Sequence, residues 1–361
     1  MRKFKRWLKL VKKAAPYKNI FQQIFDIIQT KIRLNFSPTE YYIYEFYKGD
    51  KTWREKSRYI GLDGSLYWPY ELNRLKFNAT LTNKYIQKNL LMGFGLPTPW
   101  LITTIGQRYE IQSFGEFREF LAGYRQDIVI KPISSMGGQR VLVLTCRDNG
   151  FFMAGDLYMP EKIWTLLEPR LSTGYLVEEK VSNSHQLDAL FPHSLNCFRV
   201  VTIRLPGQDW KVVSCGLKVG SGKSVVDNIR AGGIYVFLDE QGYSTSAYPK
   251  GYEKMITHHP DTGAPLVGMQ IHGADDVKEV ALEASRKFGF LGTIGWDIGL
   301  SEKGPIIIEG NNLWGVVDQK IRGGLITDDM AGGLNKHTFL SRWDRKSMFP
   351  NFHRKMKAFK K

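Results

Sequence analysis

The chain has 361 residues, 43% of them hydrophobic and 13% aromatic, which excludes a disulfide-stapled miniprotein and a globally disordered chain. Its 51 basic and 35 acidic residues give a formal charge of +16, which favours a polyanionic partner: nucleic acid, an anionic membrane surface or a phosphorylated ligand. The three cysteines show no ligand-like spacing, so we expect neither a zinc site nor a disulfide framework. This use of cysteine favours a cytoplasmic protein.

Most of the net charge lies at the two ends of the chain. Residues 1–18 contain eight basic and no acidic side chains, and residues 342–361 contain eight basic side chains against Asp344. Residues 19–341 therefore carry a net charge of only +1. A nearly neutral body argues against a nucleic-acid-binding face, and we expect no nucleic-acid partner.

The first predicted element is a basic amphipathic helix within residues 1–18. Its apolar residues recur at helical spacing, with Lys and Arg around them: Phe4, Trp7, Leu8, Val11 and Ala15. This pattern is typical of a helix that lies on an anionic membrane surface, and the alternative is a helix docked on its own protein. We expect no membrane-spanning segment and no signal peptide, because charges interrupt every apolar run.

A second helix is predicted over residues 20–34, packed on the body of the protein through its repeated isoleucines. The repeat comprises Ile20, Ile24, Ile27, Ile28 and Ile32.

From residue 70 onward helices and strands alternate. We predict helices at residues 83–92, capped by Thr82, and at 114–124, 161–171 and 276–288. Strands are predicted near residues 127–133, 140–144, 174–181, 197–205, 210–220, 232–242, 294–300 and 305–312. This order predicts an α+β fold with antiparallel sheets.

The clearest candidate site is the last predicted hairpin, GWDIGLSEKGPIIIEGNN. Asp297 lies in its first strand, and Glu309 and Asn311 lie two residues apart in its second. Because alternate side chains of a strand share a face, the three can meet across the pair. Two carboxylates and an amide oxygen suit Mg²⁺, whereas a salt-bridged or solvated hairpin is the alternative.

A second candidate is the segment KPISSMGG. Lys131 ends a strand and precedes small residues that can surround phosphate oxygens: Ser134, Ser135, Gly137 and Gly138. An ordinary turn is the alternative for this segment. Lys84 lies in the first turn of a predicted helix, where a cation opposes the helix dipole, which indicates either a nearby anion or a solvated surface lysine.

In combination these motifs resemble the ATP-grasp superfamily. Lys84 before GLPTPW, Lys131 with its glycine loop, LVEEKV and the WD…EGN hairpin occur in the superfamily's order. The segments SLNCFRVVTIR, VDNIRAGGI and IGWDIGL…GPIIIEGNN are similar, more narrowly, to sugar-transfer-associated ATP-grasp proteins. That branch is related to alpha-L-glutamate ligases and is found with surface-polysaccharide genes.

The resemblance covers roughly residues 75–325 and implies an ATP-grasp fold, in which two α+β sub-domains grip ATP. We expect four segments: a helical extension (1–69), the N-terminal and lid sub-domains (70–193), a C-terminal sub-domain with the metal site (194–330) and a basic tail (331–361).

The resemblance also implies how ATP is bound. Lys84 and Lys131 would contact the α- and β-phosphates, and Ser134 to Gly138 would close over them as a lid. Glu178 would meet the adenine amino group. The other expected contacts are the backbone of Glu179 and Val181 near adenine, and His185 near the ribose. Relatives often carry an acid at this ribose position, so a surface loop histidine is the alternative.

The same resemblance assigns metal and catalytic roles. Asp297, Glu309 and Asn311 match the superfamily's metal ligands, with Glu309 bridging two Mg²⁺ ions. Arg199 and Arg230 fall where relatives place residues that grip the transferring phosphate and the acceptor carboxylate. Asn228 would orient the same site, and Lys218 is a further candidate. Arginine suits this task because its planar fork binds such groups bidentately, and a structural surface ion pair is the alternative for each.

The implied reaction is ATP-dependent ligation of a carboxylate to an amine through an acyl phosphate. We expect it to add an amino acid or amine to a glycan or lipid-linked sugar in cell-surface polysaccharide biosynthesis. We expect the enzyme in the cytoplasm, peripheral to the inner face of the membrane. The alternatives are an ATP-grasp kinase that phosphorylates a hydroxyl and a non-catalytic nucleotide-binding scaffold.

Overall fold

The computed structural model describes residues 2–34, 36–61, 72–73, 75–135, 138–147, 150–205, 207–250, 254–316 and 318–327. The side chains of residues 2–6, 9, 75 and 230 lie outside this description. The chain forms two compact units. The first comprises residues 1–72, 204–209 and 313–361, and the second comprises residues 73–203 and 210–312.

The first unit is helical in the part that the structure describes. Its helices are α1 (Arg2–Ala14), α2 (Ile20–Leu34), α3 (Pro38–Ile43), α4 (Trp53–Ser57) and, in numbering by chain order, α11 (Gln319–Arg322). Ser37 with Glu40, and Thr52 with Glu55, form capping boxes that begin α3 and α4. The core is a buried aromatic cluster of Phe36, Tyr41, Tyr42, Tyr44, Phe46, Tyr47 and Tyr59, on which α1 packs through Ala14.

The prediction that α2 packs through its isoleucines is wrong for four of the five. Ile20, Ile24, Ile28 and Ile32 are exposed, whereas Ile27 is partly buried against the aromatic cluster. The side of α2 that faces the protein carries polar side chains, because Gln23 and Thr30 are both buried. The apolar repeat predicts the helix correctly but not which face is covered.

The second unit contains both sheets. The first sheet has the strand order β1-β6-β2-β3-β4-β5, and the second has the order β10-β9-β8-β7-β11-β12. All strand pairs are antiparallel. The strands of the first sheet are β1 (Leu101–Ile105), β2 (Ile128–Pro132), β3 (Leu142–Arg147), β4 (Gly150–Met153), β5 (Asp156–Tyr158) and β6 (Tyr175–Glu179). Those of the second are β7 (Cys197–Ile203), β8 (Lys211–Val219), β9 (Ile234–Leu238), β10 (Ser244–Pro249), β11 (Thr293–Ser301) and β12 (Gly304–Asn311).

Helices cover these sheets. They are α5 (Ala79–Thr82), α6 (Lys84–Gly93), α7 (Phe114–Gly123), α8 (Pro160–Leu167), α9 (His185–Leu190) and α10 (Ala274–Lys287). Helix α10 buries Val277, Ala281 and Ala284 in the larger core, together with Trp296 of β11. Helices α7 and α8 pack Phe117 and Ile163 in the core of the first sheet.

The predicted α+β class with antiparallel sheets is confirmed. The predicted cap of α6 is wrong by one residue, because Asn83 caps this helix and accepts hydrogen bonds from the backbone N–H groups of Tyr85 and Ile86. Thr82 instead ends the short helix α5. Strands β1, β4, β5 and β10 were not predicted. The last three are short or contain Gly, Ser and Pro, which weaken a strand pattern.

Candidate active site

The β11–β12 hairpin brings Asp297, Glu309 and Asn311 together. Asp297 is paired directly with Glu309 in the register, and Asn311 lies two residues further on. The Asn311 amide nitrogen donates to Asp297 Oδ2 and to Glu309 Oε1, at 3.3 Å in each case. Asp297 is buried, whereas the Glu309 side chain is 22% exposed and thus open to a ligand.

Helix α6 fixes the end of this hairpin through Gln87, a residue the sequence interpretation did not select. The buried Gln87 amide accepts from the Gly310 N–H and donates to the Gly310 carbonyl, at 2.9 Å in each case. A Cβ at Gly310 would lie 2.8 Å from the Trp296 ring. The residue between Glu309 and Asn311 is therefore held on both sides, which sets the spacing of those two side chains.

Two cations meet Asp297 from neighbouring strands of the same sheet. Arg199 of β7 binds it bidentately, with Nε 2.8 Å from Oδ1 and an Nη 3.1 Å from Oδ2. Lys218 of β8 lies 3.0 Å from Asp297 Oδ1 and 3.3 Å from Asp227 Oδ1. Burial lowers the pKa of Lys218, but Asp227 and Asp297 outweigh it and hold the pKa above its ordinary value. Lys218 is therefore charged at neutral pH.

Asp227 is a second residue that sequence reasoning missed. It is buried, and its Oδ2 accepts the backbone N–H of Cys197 at 2.8 Å while its Oδ1 faces Lys218. Burial raises the pKa of Asp227, against the lowering effect of Lys218. In the sequence, the feature that could have identified Asp227 as a site residue is its place in the motif VDNIRAGGI, next to Asn228.

Glu309 is surrounded by positive charge. Burial alone raises its pKa, but the charges of Lys84, Lys131, Lys218 and Arg199 bring it down to about 2. The nearest of these is Lys84, whose Nζ lies 3.3 Å from Glu309 Oε2. Carboxylates and cations are thus interleaved at one end of the second sheet, an arrangement suited to a ligand that combines metal ions with phosphate groups.

The predicted phosphate loop is tied to the same place. Lys84 donates to the Ser135 carbonyl at 2.9 Å, and Arg170 donates to the Ser134 carbonyl at 3.0 Å. Gly138 has φ +70°, and a Cβ there would lie 3.1 Å from Val226. Gly137 lies outside the described residues.

Arg140, two residues after Gly138, has φ +60°. An L-residue in this left-handed region costs roughly 1 kcal/mol. The loop therefore keeps the backbone conformation that glycine favours, although the side chain differs.

The first sheet contributes a buried ion triad. Glu178 lies 2.7 Å from Lys131 and 3.0 Å from Lys88, and all three are nearly inaccessible to solvent. Lys88, on α6 one turn after Lys84, was not predicted, and burial lowers its pKa to about 8. Glu178 Oε1 faces Lys88 and Oε2 faces Lys131, so both oxygens of this carboxylate are ion-paired.

A comparison with protein families identifies the family of this chain. The model of the sugar-transfer associated ATP-grasp family matches residues 67–327. The chain belongs to this family. No match was found among curated proteins. The predicted resemblance is therefore confirmed.

Solved ATP-grasp structures are similar to the chain at low identity. An L-amino acid ligase from Bacillus licheniformis has 14% identity and a TM-score of 0.40, with 72% of this chain and 50% of that chain covered. A D-alanine–D-alanine ligase from Helicobacter pylori has 13% identity and a TM-score of 0.43, with 73% of this chain and 64% of that chain covered. The chain thus spans between half and two thirds of the lengths of these structures.

The other residues expected to bind nucleotide in an ATP-grasp protein are placed as follows. The Glu179 backbone N–H donates to the Trp100 carbonyl at 3.1 Å, and Val181 is partly buried just after β6. His185 is 93% exposed, and its Nδ1 lies 2.9 Å from Glu302 in the β11–β12 turn.

The two remaining catalytic candidates lie in the loop after β8. Asn228 is partly buried, and its carbonyl accepts the N–H groups of Ala231 and Gly233. Arg230 lies in a 3-10 turn of residues 229–231, and its side chain is outside the described residues.

The donor set fits the Mg²⁺ ions expected with ATP. Among the described residues no group of three or more His, Cys, Asp or Glu side chains can hold a metal, so the site needs an amide as third ligand. Asn311 could supply it, because turning over its amide would place Oδ1 beside the two carboxylates to which its nitrogen now donates. Oxygen-only ligation matches the preference of Mg²⁺.

Proposed function

We propose that the chain is an ATP-dependent carboxylate–amine ligase that forms an amide through an acyl phosphate. The observation that carries this proposal is the interleaving of Asp297, Glu309 and Asn311 with Arg199, Lys218 and Lys84 within a few ångströms. Phosphoryl transfer from ATP concentrates negative charge at one point, and fixed cations with metal ligands are what stabilise it.

In the first step, a carboxylate oxygen of one substrate attacks the γ-phosphorus of ATP. The bond from that phosphorus to the β–γ bridging oxygen breaks, and ADP leaves. Arg199 and Lys218 turn from Asp297 towards the transferring phosphoryl oxygens, while Lys84 and Lys131 neutralise the remaining phosphates. Bound Mg²⁺, held by Asp297, Glu309 and Asn311, would neutralise phosphate charge and polarise the transferred group.

In the second step an amine attacks the acyl carbon, loses a proton and displaces inorganic phosphate. Arg230 and Asn228 would hold the acceptor. The loop of Ser134, Ser135, Gly137 and Gly138 would cover the phosphates and exclude water, which otherwise hydrolyses an acyl phosphate. Glu178, held between Lys88 and Lys131, would accept a hydrogen bond from the adenine amino group, with the backbone of Glu179 and Val181 beside the ring and His185 near the ribose.

The family's association with sugar transfer supports a substrate in cell-surface polysaccharide biosynthesis, in which an amino acid or amine is joined to a sugar acid or lipid-linked sugar. The basic residues 1–18 support a place on the anionic inner face of the cell membrane. No described helix is long and apolar enough to cross a bilayer.

The test is an ADP-release screen of the purified protein with amino acids against uronic-acid sugar nucleotides. Mass spectrometry then seeks a product equal to the pair less one water. The proposal expects ADP release that requires both a carboxylate and an amine. ADP release with a hydroxyl acceptor alone, yielding a stable phosphoester, would establish a kinase instead, and tight ATP binding without ADP release under any pair would establish a scaffold.

A further inference from the structure

Helix α2 turns its apolar side chains away from its own protein. Phe21, Phe25 and Ile32 are 79%, 63% and 72% exposed. The complete exposed set lies along one face of the helix: Ile20, Phe21, Ile24, Phe25, Ile28 and Ile32. No element within the described residues covers this stripe. A run of six exposed apolar residues on one helix exceeds the scattered surface apolar residues of an ordinary monomer.

Hydrogen bonds on the opposite face fix this orientation. Gln23 is buried, donates to the Lys18 carbonyl at 2.7 Å and accepts from the Tyr42 hydroxyl at 2.9 Å. Asp26 pairs with Lys18 and accepts from the Tyr41 hydroxyl. Turning α2 to bury its isoleucines would expose or break these contacts, so the outward stripe is the orientation that the inner contacts select.

The net charge of the segment that carries the stripe favours an anionic partner. Residues 1–34 contain ten basic side chains and one acid, Asp26. Helix α1 adds two exposed apolar residues, Trp7 and Leu8, which are 39% and 41% exposed. A symmetric pairing of two copies through this segment would bring two positively charged segments together, whereas anionic lipid headgroups would neutralise the charge.

The length of α2 determines how it would meet a bilayer. Its 15 residues extend roughly 22 Å at about 1.5 Å per residue, less than the hydrocarbon thickness of about 30 Å. An apolar stripe with flanking cations suits a helix lying in the plane of the membrane interface.

We propose that the exposed apolar stripe of α2, rather than the apolar face of α1 alone, inserts into the surface of an anionic lipid bilayer. This inference rests on the membrane location included in the proposed function, but not on the ligase chemistry. The positive charge of residues 1–34 attracts the anionic headgroups, and the stripe supplies the apolar contact.

The experiment measures binding of the full chain to vesicles by co-sedimentation, without nucleotide. One vesicle contains phosphatidylglycerol with phosphatidylcholine, and the other contains phosphatidylcholine alone. The test variant is Phe21→Ser/Phe25→Ser, and the matched control is Leu157→Ser/Met159→Ser, which removes two exposed apolar side chains from the other compact unit. Thermal unfolding of each variant is measured in parallel.

We expect wild type and control to bind the anionic vesicles, and the test variant to lose at least tenfold in partition coefficient with an unchanged melting temperature. Unchanged partitioning of the test variant would overturn the inference and leave α1 as the membrane contact. A lower melting temperature with unchanged partitioning would also overturn it, because the stripe would then pack within the protein.

Concentration-dependent dimerisation that the test variant abolishes would assign the stripe to a second copy. If wild type binds neither vesicle, the membrane location itself is overturned. The ADP-release screen uses soluble substrates and needs no vesicles, so failure of the ligase proposal is detected separately.

Discussion

Replacing Glu309 by Gln removes a negative charge from the centre of the candidate site without changing its shape. Glu309 Oε2 faces Lys84 Nζ at 3.3 Å, and three further cations act on it. These charges outweigh the effect of burial and bring the pKa of Glu309 from an ordinary value of 4.5 to about 2. The folded protein is therefore stabilised by the ionised form of this carboxylate.

The magnitude follows from the pKa difference. At about 1.4 kcal/mol per pKa unit, the interaction contributes about 3 kcal/mol to the free energy of unfolding at pH 7. Because the pKa is lowered in the folded state, this contribution is present above pH 4.5 and is lost as the pH falls towards 2. At pH 3.5 about 2 kcal/mol of it remains.

The assay is urea unfolding of wild type and Glu309→Gln at pH 7 and pH 3.5, with Glu302→Gln as the control. Glu302 lies in the turn of the same hairpin and its side chain is 58% exposed, so its replacement should change the free energy by less than about 0.5 kcal/mol. Glu309→Gln should also abolish ADP formation. Equal stability at pH 7, or a gap that does not narrow at pH 3.5, would refute the electrostatic reasoning, and wild-type turnover would refute the metal assignment.

Three further predictions concern residues around this site. Lys88→Met should raise the KM for ATP, because Glu178 loses one of its two cations. Burial lowers the pKa of Lys88 to about 8, below the ordinary lysine value of 10.5. The free energy of unfolding of wild type should therefore rise, relative to that of the variant, as the pH increases from 8 to 10.5. Asp227→Asn should lower kcat by roughly tenfold or more with little change in the KM for ATP, because Lys218 loses a carboxylate partner. Steady-state kinetics measures this, with replacement of the exposed Asp188 by Asn as the control. A rise in KM as large as the fall in kcat would contradict the prediction. Gly138→Ala should weaken ATP binding, measured by calorimetry, because the φ of +70° and the 3.1 Å approach to Val226 both oppose a Cβ. Gly155→Ala is the control, because Gly155 has φ +92° but no atom within 4 Å of a Cβ. It therefore separates the effect of backbone strain from that of the contact with Val226.

The hairpin was predictable because its chemistry is local. Asp297, Glu309 and Asn311 lie on adjacent strands joined by a short turn, so strand alternation alone brings them together. The motifs around Lys84, Lys131 and Glu178 were predicted as a set from their resemblance, in the same order, to the ATP-grasp superfamily, and not from strand geometry. The roles assigned to these residues remain proposals.

Residues that act on the site from elsewhere were not predictable. Gln87 and Lys88 belong to an ordinary-looking helix, and only the fold brings them to Gly310 and Glu178. The face of α2 was misjudged because an apolar repeat does not say whether the protein itself or another partner covers it. Its buried Gln23 is held by contacts with Lys18 and Tyr42 that the repeat cannot reveal.

The most direct test of the ligase proposal follows the oxygen atoms of the carboxylate. Once the screen identifies a substrate pair, the carboxylate is labelled with ¹⁸O and the inorganic phosphate is analysed by mass spectrometry. Attack on the γ-phosphorus and later displacement at the acyl carbon leave one labelled oxygen on phosphate, so we expect one ¹⁸O per phosphate released. Phosphate free of label, with amide still formed, would contradict an acyl phosphate and with it the role proposed for this site.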